Sequence, residues 1–302
     1  MVSEDAVGVE AAQALGLTPA LLGSLDRLSL PSRRLIPGAG AGQRRSPRSG
    51  GSVEFADFRS YVPGDDFRRI DWSAYARLDR LLLRLHEAEE DICASMWVDV
   101  SASMEWGSPP KSRCARSIAG ALCYLALSRY DRASAIAFAS DIVARAPAVR
   151  GRRLCTPLWR MLATARAGGT TDFGAVARAA RAVPRGVAFI ISDFLSESDP
   201  ARALSALRST GHDVALVQVL APDELSPELR GDLRLVDIET RSSLEITATP
   251  GVIAAYREAL HEHTQRMASL ARAHSARHVQ VSSASDLRFI LLQQLPQAGL
   301  LR

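Results

Sequence analysis

The stretch Ile92-Cys-Ala-Ser-Met-Trp-Val-Asp99-Val-Ser101-Ala-Ser103 decides the fold of this 302-residue chain. Its first seven residues are mostly apolar, as expected for a strand that is buried on both faces of a parallel sheet. Three oxygen-bearing side chains follow at once, and their alternation places them on one side of an extended loop. The stretch therefore predicts a central strand over 92–98 with a candidate ligand loop at its carboxyl end.

Strand and helix patterns alternate from this strand to the C-terminus. Short apolar runs are separated by longer segments whose apolar residues recur at helical spacing. The further predicted strands cover 132–138, 142–146, 187–191, 214–220, 233–238, 244–247 and 278–281, and the predicted helices cover 111–127, 154–165, 172–182, 200–209, 252–273 and 286–295. Such alternation predicts an α/β fold with a doubly wound, mostly parallel sheet.

The region before residue 92 divides into two parts. Residues 1–36 are predicted to form an N-terminal helical arm, since leucines recur there at roughly helical spacing. Residues 37–91 are predicted to form a β-containing appendage, which opens with a Gly-, Arg- and Ser-rich loop over 37–51. That loop contains no G-K-[ST] sequence, so it is not a Walker A loop. Residues 92–302 then form the α/β domain.

Composition narrows the classes of protein that the chain can belong to. An apolar fraction of 47% supports a sizeable core, and a net charge of +4 does not indicate a general polyanion binder. Almost all positive charge is arginine, Lys111 being the only lysine. The Arg-rich loop 44–48 has no interleaved aromatic residues and is interpreted as a solvated loop, so no nucleic-acid partner is expected.

Cysteine usage and hydropathy predict the compartment. None of the four cysteines belongs to a C-x-x-C pair, and all lie in apolar or helical contexts, so buried reduced thiols are expected. The N-terminus lacks a signal-peptide profile, and no apolar run is long enough for a transmembrane segment. A cytoplasmic protein is therefore expected. The cysteines are Cys93, Cys114, Cys123 and Cys155.

Two further polar segments fall where the loops of a doubly wound sheet converge. Residues 168–172, Gly-Gly-Thr-Thr-Asp, precede a predicted helix, and Ser192-Asp193 ends an apolar strand. Loops at the carboxyl ends of parallel strands share one edge of the sheet, where ligands bind. Two carboxylates and three hydroxyls meeting there suit Mg²⁺ or Mn²⁺, which take oxygen ligands. So few charges would leave the cation short of one anionic ligand, which a partner's Asp or Glu can supply.

The three segments together resemble the metal-ion-dependent adhesion site of von Willebrand factor A domains. The resemblance implies a von Willebrand factor A-like fold in which three hydroxyls bind the metal directly and two carboxylates hold it mainly through water. The hydroxyls are those of Ser101, Ser103 and Thr170, and the carboxylates are those of Asp99 and Asp193.

An upstream block is similar to the bacterial domain-of-unknown-function family 58. Its most specific part is Pro63-Gly-Asp-Asp-Phe-Arg-Arg-Ile-Asp-Trp72, and Leu235-Val-Asp-Ile-Glu-Thr240 is a further similar segment. The resemblance extends over about residues 38–295, and in this family the block precedes a von Willebrand-like domain. Family members commonly occur beside MoxR-type AAA+ ATPases. The resemblance therefore implies an adaptor that works with such an ATPase in assembling or activating other proteins.

Structural roles remain open for several of these residues. The segment 99–103 can be a strand-end turn, and Thr171 or Asp172 can cap the following helix while Thr170 binds the metal. Asp193 can likewise be a turn residue. In the appendage, ion pairs among the charged residues can lock it to the main domain or bind a partner, and Tyr61 and Trp72 are expected in a core. The charged residues are Arg59, Asp65, Asp66, Arg68 and Asp71, and the histidines His261, His263, His274 and His278 are expected on the surface.

Three functions are compatible with this sequence. The favoured one is a metal-dependent protein-binding module and not an enzyme. A metal-dependent hydrolase is the second, although no phosphate loop, G-x-S-x-G elbow or base beside Ser101 or Ser103 is recognised. A metal-free scaffold held by the charged block is the third.

Overall fold

The computed structural model describes most of the chain, and its described residues fall into two compact units. One unit contains the described residues up to 30 and from 93 to the C-terminus, and the other contains those between 55 and 86. The described residues are 4–30, 55–62, 65, 67, 70–86, 93–166, 168–239 and 241–302.

Ten strands and eleven α-helices are formed by the described residues. The strands are β1 Phe55–Ser60, β2 Leu82–His86, β3 Cys93–Asp99, β4 Arg132–Phe138, β5 Ile142–Arg150, β6 Gly186–Ser192, β7 Asp213–Leu220, β8 Gly231–Val236, β9 Ser243–Ala248 and β10 Arg277–Ser282. The helices are α1 Glu4–Ala14, α2 Pro19–Leu25, α3 Trp72–Leu78, α4 Lys111–Ser128, α5 Cys155–Thr164, α6 Phe173–Ala179, α7 Ala201–Ser209, α8 Pro222–Leu225, α9 Pro250–Ala273, α10 Leu287–Phe289 and α11 Leu295–Gln297.

The larger unit is built on a six-stranded sheet in the order β10-β7-β6-β3-β4-β5. Five strands are parallel, and β5 closes one edge antiparallel to β4. The stretch that opens the domain lies in the middle, where Trp97 pairs with Ile136 on one side and Ile190 on the other. This arrangement confirms the predicted doubly wound, mostly parallel α/β fold.

Each face of the sheet carries its own hydrophobic cluster because successive strand residues point to opposite faces. Met96 and Val98 belong to the cluster that includes α4 and α5, whereas Trp97 belongs to the cluster that includes α6 and α7. All three side chains have no solvent-exposed surface. The central strand is thus fixed from both faces, and its carboxyl end is held in a rigid setting.

The N-terminal helices pack on the larger unit, whereas the sequence set residues 1–36 apart as an arm. A methyl carbon at Gly120 of α4 would lie 2.9 Å from Leu15 Cδ1 and 3.1 Å from Leu17 Cδ1. Ser29 and Arg302 exchange two backbone hydrogen bonds, of 2.7 and 2.9 Å. The arm joins this unit because its leucines bury their side chains against α4.

The smaller unit contains the antiparallel pair β1–β2 and the short helix α3. Asp71 caps α3 by accepting hydrogen bonds from the backbone N–H groups of Ser73 and Ala74. Trp72 is 61% exposed, so its expected core position is wrong: it sits in the first turn of α3 and contacts Tyr75 edge-on. The side chains of Arg59, Asp66 and Arg68 lie outside the described residues, as do the whole of the loop 44–48 and the pair Pro63-Gly64.

All four cysteines are free and buried, which confirms the expectation of reduced thiols in the core. Burial raises the pKa of Cys114 and Cys155 to about 12, so both thiols stay protonated at neutral pH.

No helix among the described residues has both the length and the apolar composition that crossing a bilayer requires.

Candidate functional site

The loop after β3 carries the first part of the candidate site. Asp99 ends the strand with no exposed surface, and its Oδ1 accepts a 2.9 Å hydrogen bond from the backbone N–H of Ser101. The hydroxyls of Ser101 and Ser103 lie 3.0 Å apart. The three side chains therefore lie close together, although Ser103 belongs to the 3-10 helix Ala102–Glu105 and not to the extended loop that the alternation predicted.

The end of β6 supplies the second part. Ser192 Oγ donates a 2.6 Å hydrogen bond to Asp99 Oδ2, and it accepts one of 3.1 Å from the backbone N–H of Phe194. The backbone N–H of Leu195 donates to Asp193 Oδ1 at 3.1 Å. Phe194 adopts a φ of 57°, a left-handed conformation that is rare for a bulky side chain. This turn fixes the direction of the Asp193 carboxylate.

The loop 168–171 supplies the third part, and its two threonines have different roles. The Thr171 hydroxyl donates a 3.0 Å hydrogen bond to Asp99 Oδ2 and is buried, whereas Thr170 is exposed. Gly169 accepts a hydrogen bond from the backbone N–H of Ala102, which ties this loop to the β3 loop. Asp172 accepts from Gly174 N and caps α6, which confirms one of the two capping alternatives. Thr170 thus lies at the open rim, and its role as a metal ligand stays a prediction.

Asp99 is a buried carboxylate that accepts three hydrogen bonds, and no described cationic side chain contacts it. Burial and, less strongly, the negative charge of Asp193 together raise its pKa to about 6. Hydrogen bonds from Ser192 and Ser101 lower the pKa and only partly offset that rise. The site therefore holds a carboxylate whose charged form would be favoured by an added cation.

Lys111 lies beside this site, and no sequence pattern predicted its role. Its ammonium contacts Asp193 Oδ2 at 2.6 Å and Glu224 Oε1 at 2.5 Å, and the lysine is 1% exposed. Two carboxylates raise its pKa against the opposing effect of burial, so the ammonium stays charged. Glu224 also accepts a hydrogen bond from the backbone N–H of Ala221 at 2.7 Å. The partners are distant in sequence, and neither helical periodicity nor a motif joins them.

A polar network continues from this ion pair toward β10. Gln218 donates to the Asp193 carbonyl at 3.0 Å, and its Oε1 lies 3.2 Å from His278 Nε2. His263 of α9 lies close enough to Asp193 and to the backbone of Phe194 for both to raise its pKa, although burial lowers it more. His263, His274 and His278 are half-buried, so of the four histidines expected on the surface only His261 is exposed. The reason is that α9 and β10 both pack at this edge.

His278 is expected to make folding stability depend on pH. Burial lowers its pKa to about 4. In the unfolded chain His278 binds a proton below about pH 6.5, whereas in the folded protein it binds one only near pH 4. The free energy of unfolding therefore decreases as the pH falls from about 6.5 to about 4. Relative to His278→Gln, the wild-type free energy of unfolding should fall by about 2 kcal/mol between about pH 7.5 and about pH 4.5. Urea unfolding at the two pH values measures this. His261→Gln, at an exposed position, is the control. Equal changes in the free energy of unfolding of the wild type, His278→Gln and His261→Gln would contradict the prediction.

The donor set fits a hard divalent cation. Adjacent oxygens in an octahedral Mg²⁺ shell lie about 3.0 Å apart, and the two serine hydroxyls already have that separation. The carboxylates of Asp99, Asp193 and Glu224 outnumber the Lys111 ammonium, which leaves two negative charges in a largely buried cluster. In the described part of the chain no three His, Cys, Asp or Glu side chains form a metal-holding group. A site here would therefore depend on hydroxyls as well as carboxylates.

Comparison with known protein families gives a match over most of the chain. The profile of the family described as "Protein of unknown function DUF58" matches residues 57–266. Uncharacterised proteins of Mycobacterium tuberculosis and Mycobacterium bovis are 31% identical to this chain over 268 residues, which cover 86% of this chain and 82% of each relative.

Comparison with solved structures finds similar chains, some of which are described as von Willebrand factor A domains. The conserved hypothetical protein BatB from Bacteroides thetaiotaomicron is 15% identical, with 69% of this chain and 98% of that chain covered and a TM-score of 0.44. A von Willebrand factor type A structure from Catenulispora acidiphila is 12% identical, with 72% and 43% covered and a TM-score of 0.43. The SpRpn10 VWA domain is 8% identical, with 68% and 96% covered and a TM-score of 0.40.

Proposed function

The chain belongs to the family of proteins of unknown function DUF58, and on that premise we propose that it is a metal-dependent protein-binding module. The observation that carries the proposal is the cluster at the carboxyl edge of the sheet. It combines buried negative charge with a pair of serine hydroxyls at octahedral spacing. The same cluster opens to solvent on one side, where Thr170 is exposed and Ser103 is half-buried.

The residues that would hold Mg²⁺ or Mn²⁺ are those singled out from the sequence. When bound, the cation would supply positive charge to Asp99, whose carboxylate has hydrogen-bond donors around it but no described cation in contact. The hydroxyl oxygens of Ser101 and Ser103 would coordinate the cation through their lone pairs. Ser192 and Thr171 orient the Asp99 carboxylate. The proposed ligands are Asp99, Ser101, Ser103, Thr170 and Asp193.

The partner would be a protein that presents an Asp or Glu side chain. A cation coordinated mainly by hydroxyls and by carboxylates at longer range lacks an anionic ligand, and an acidic side chain from outside meets that need. The exposed rim at Thr170 gives such a side chain access. The resemblance carried by the Pro63–Trp72 block supports a MoxR-type AAA+ ATPase as the candidate co-worker, with this chain as the adaptor.

We propose binding and not catalysis for the same site. The Ser101 hydroxyl pairs with the Ser103 hydroxyl, and a nucleophilic serine needs an adjacent base to activate it. Turnover of generic phosphatase or esterase substrates that is lost in Asp193→Ala would reverse this part of the proposal.

Asp99→Asn is expected to abolish Mg²⁺ and Mn²⁺ binding. The substitution keeps the shape of the side chain but removes a charge that the cation would neutralise. Isothermal titration calorimetry with each cation gives the measurement, and Asp172→Asn is the matched control because Asp172 caps a helix one residue from the site. Absence of binding by the wild type, or equal binding by Asp99→Asn, would reject the metal dependence.

The partner is tested with the same pair of variants. A co-expressed MoxR-type ATPase should co-purify with the wild type and Asp172→Asn in Mg²⁺, and it should be lost from Asp99→Asn or on addition of EDTA. If the ATPase co-purifies equally well with Asp99→Asn and in the presence of EDTA, partner binding does not depend on the metal site. That result would favour a metal-free scaffold.

A further inference from the structure

Lys111 places a positive charge against the Asp193 carboxylate of the candidate site. It is the only lysine in the chain, begins α4 directly after the loop that carries Ser101 and Ser103, and is 1% exposed. Buried lysines are uncommon and need paired charges. Here two carboxylates, those of Asp193 and Glu224, supply that pairing.

Both oxygens of Asp193 are already engaged. Oδ1 accepts from the backbone N–H of Leu195 at 3.1 Å, and Oδ2 accepts from Lys111 Nζ at 2.6 Å. A divalent cation that uses this carboxylate, directly or through water, must share it with the ammonium or displace the ammonium. Glu224 offers the ammonium a second partner at 2.5 Å, to which it remains bound if it leaves Asp193.

We infer that the Lys111 ammonium is a built-in cation that competes with the divalent metal for Asp193 and so sets the affinity of the site. This inference rests on the proposed metal site. In the metal-free protein the ammonium bridges Asp193 and Glu224. Metal binding moves the ammonium toward Glu224, so the divalent cation binds more weakly than it would bind to the same ligands without Lys111. An acidic side chain from a partner then has a larger effect on occupancy.

The charge count permits a sharp test with one double variant. Lys111→Met/Glu224→Gln removes one positive and one negative charge, so the cluster keeps the two negative charges of the wild type. If net charge alone sets the affinity, the double variant and the wild type bind Mg²⁺ equally. If Lys111 competes for Asp193, the double variant binds at least about tenfold more tightly, since a nearby unit charge in a partly buried site has an effect of that order.

Calorimetric titration with MgCl₂ compares the wild type, Glu224→Gln, the double variant and Asp223→Asn. Asp223 is the exposed neighbour of Glu224 on α8 and should behave as the wild type. Tighter binding by the double variant than by the wild type supports the inference. Binding by the wild type with equal or weaker binding by the double variant overturns the inference and leaves the metal site standing. Absence of binding in every protein overturns both.

A second measurement needs no substitution. Since the chain has a single lysine, ¹⁵N-lysine labelling yields one side-chain ammonium resonance, which reports directly on the Asp193 and Glu224 contacts. Addition of MgCl₂ should shift this resonance at the concentrations where heat is released. A resonance that stays fixed while Mg²⁺ binds would show that Lys111 keeps its contacts, and it would overturn the inference.

Discussion

Lys111→Met is expected to lower the free energy of unfolding by about 3–5 kcal/mol, the usual cost of removing one partner from a buried ion pair. The loss is large because both remaining carboxylates stay in place without their cation. Asp193 is 1% exposed and the Glu224 side chain 13% exposed, so water can compensate little. Urea unfolding followed by circular dichroism at neutral pH measures the change.

The double variant Lys111→Met/Glu224→Gln separates charge from packing in the same experiment. It leaves one uncompensated carboxylate in this triad where the single variant leaves two, so it should recover part of the lost stability. Asp223→Asn should change stability by less than about 0.5 kcal/mol, as expected for an exposed position. If Lys111→Met costs less than about 1 kcal/mol, the ion pair contributes no more than an exposed one would.

The fold could be predicted because each buried strand is recognisable from its own short stretch of sequence. Buried parallel strands appear as short apolar runs, and β6 and β7 were located within one residue at each end. Two antiparallel strands were located less well: only 142–146 was predicted where β5 extends to Arg150, and 233–238 was predicted where β8 spans Gly231–Val236. Edge strands alternate in burial and lack the continuous apolar signal, so their ends are harder to locate.

The sequence predicted which strand ends form the candidate site, but it did not predict which side chains contact each other there. Strand-end placement brought Asp99 and Asp193 to one edge of the sheet, but a choice between neighbouring threonines depends on the loop conformation. The backbone turns Thr171 inward to Asp99 and leaves Thr170 exposed. Lys111 was not predicted because a charged residue at a helix start is normally solvated, and its partner Glu224 comes from a short helix after β7. Only the packing of α4 and α8 at the same edge reveals the pair.

Phe194→Ala is expected to destabilise the protein by about 3–5 kcal/mol, as for other buried phenylalanines. The Phe194 ring is 2% exposed and stacks on Phe173, with ring centroids 5.4 Å apart. Its left-handed backbone is strained, and the packing of the ring supplies the energy that holds it there. Urea unfolding measures the loss, and Phe194→Leu, which keeps most of the volume, should cost less than about 1.5 kcal/mol.

The same substitution should weaken Mg²⁺ binding, because the backbone of Phe194 supports the site. Its N–H donates to Ser192 Oγ, which in turn donates to Asp99 Oδ2 at 2.6 Å. Loss of the ring frees this turn and lets Asp99 lose a donor that orients it. Calorimetry should therefore show weaker binding by Phe194→Ala than by Phe194→Leu. Equal affinities would mean that the sheet edge alone positions Asp99, and that the turn after β6 contributes only to stability.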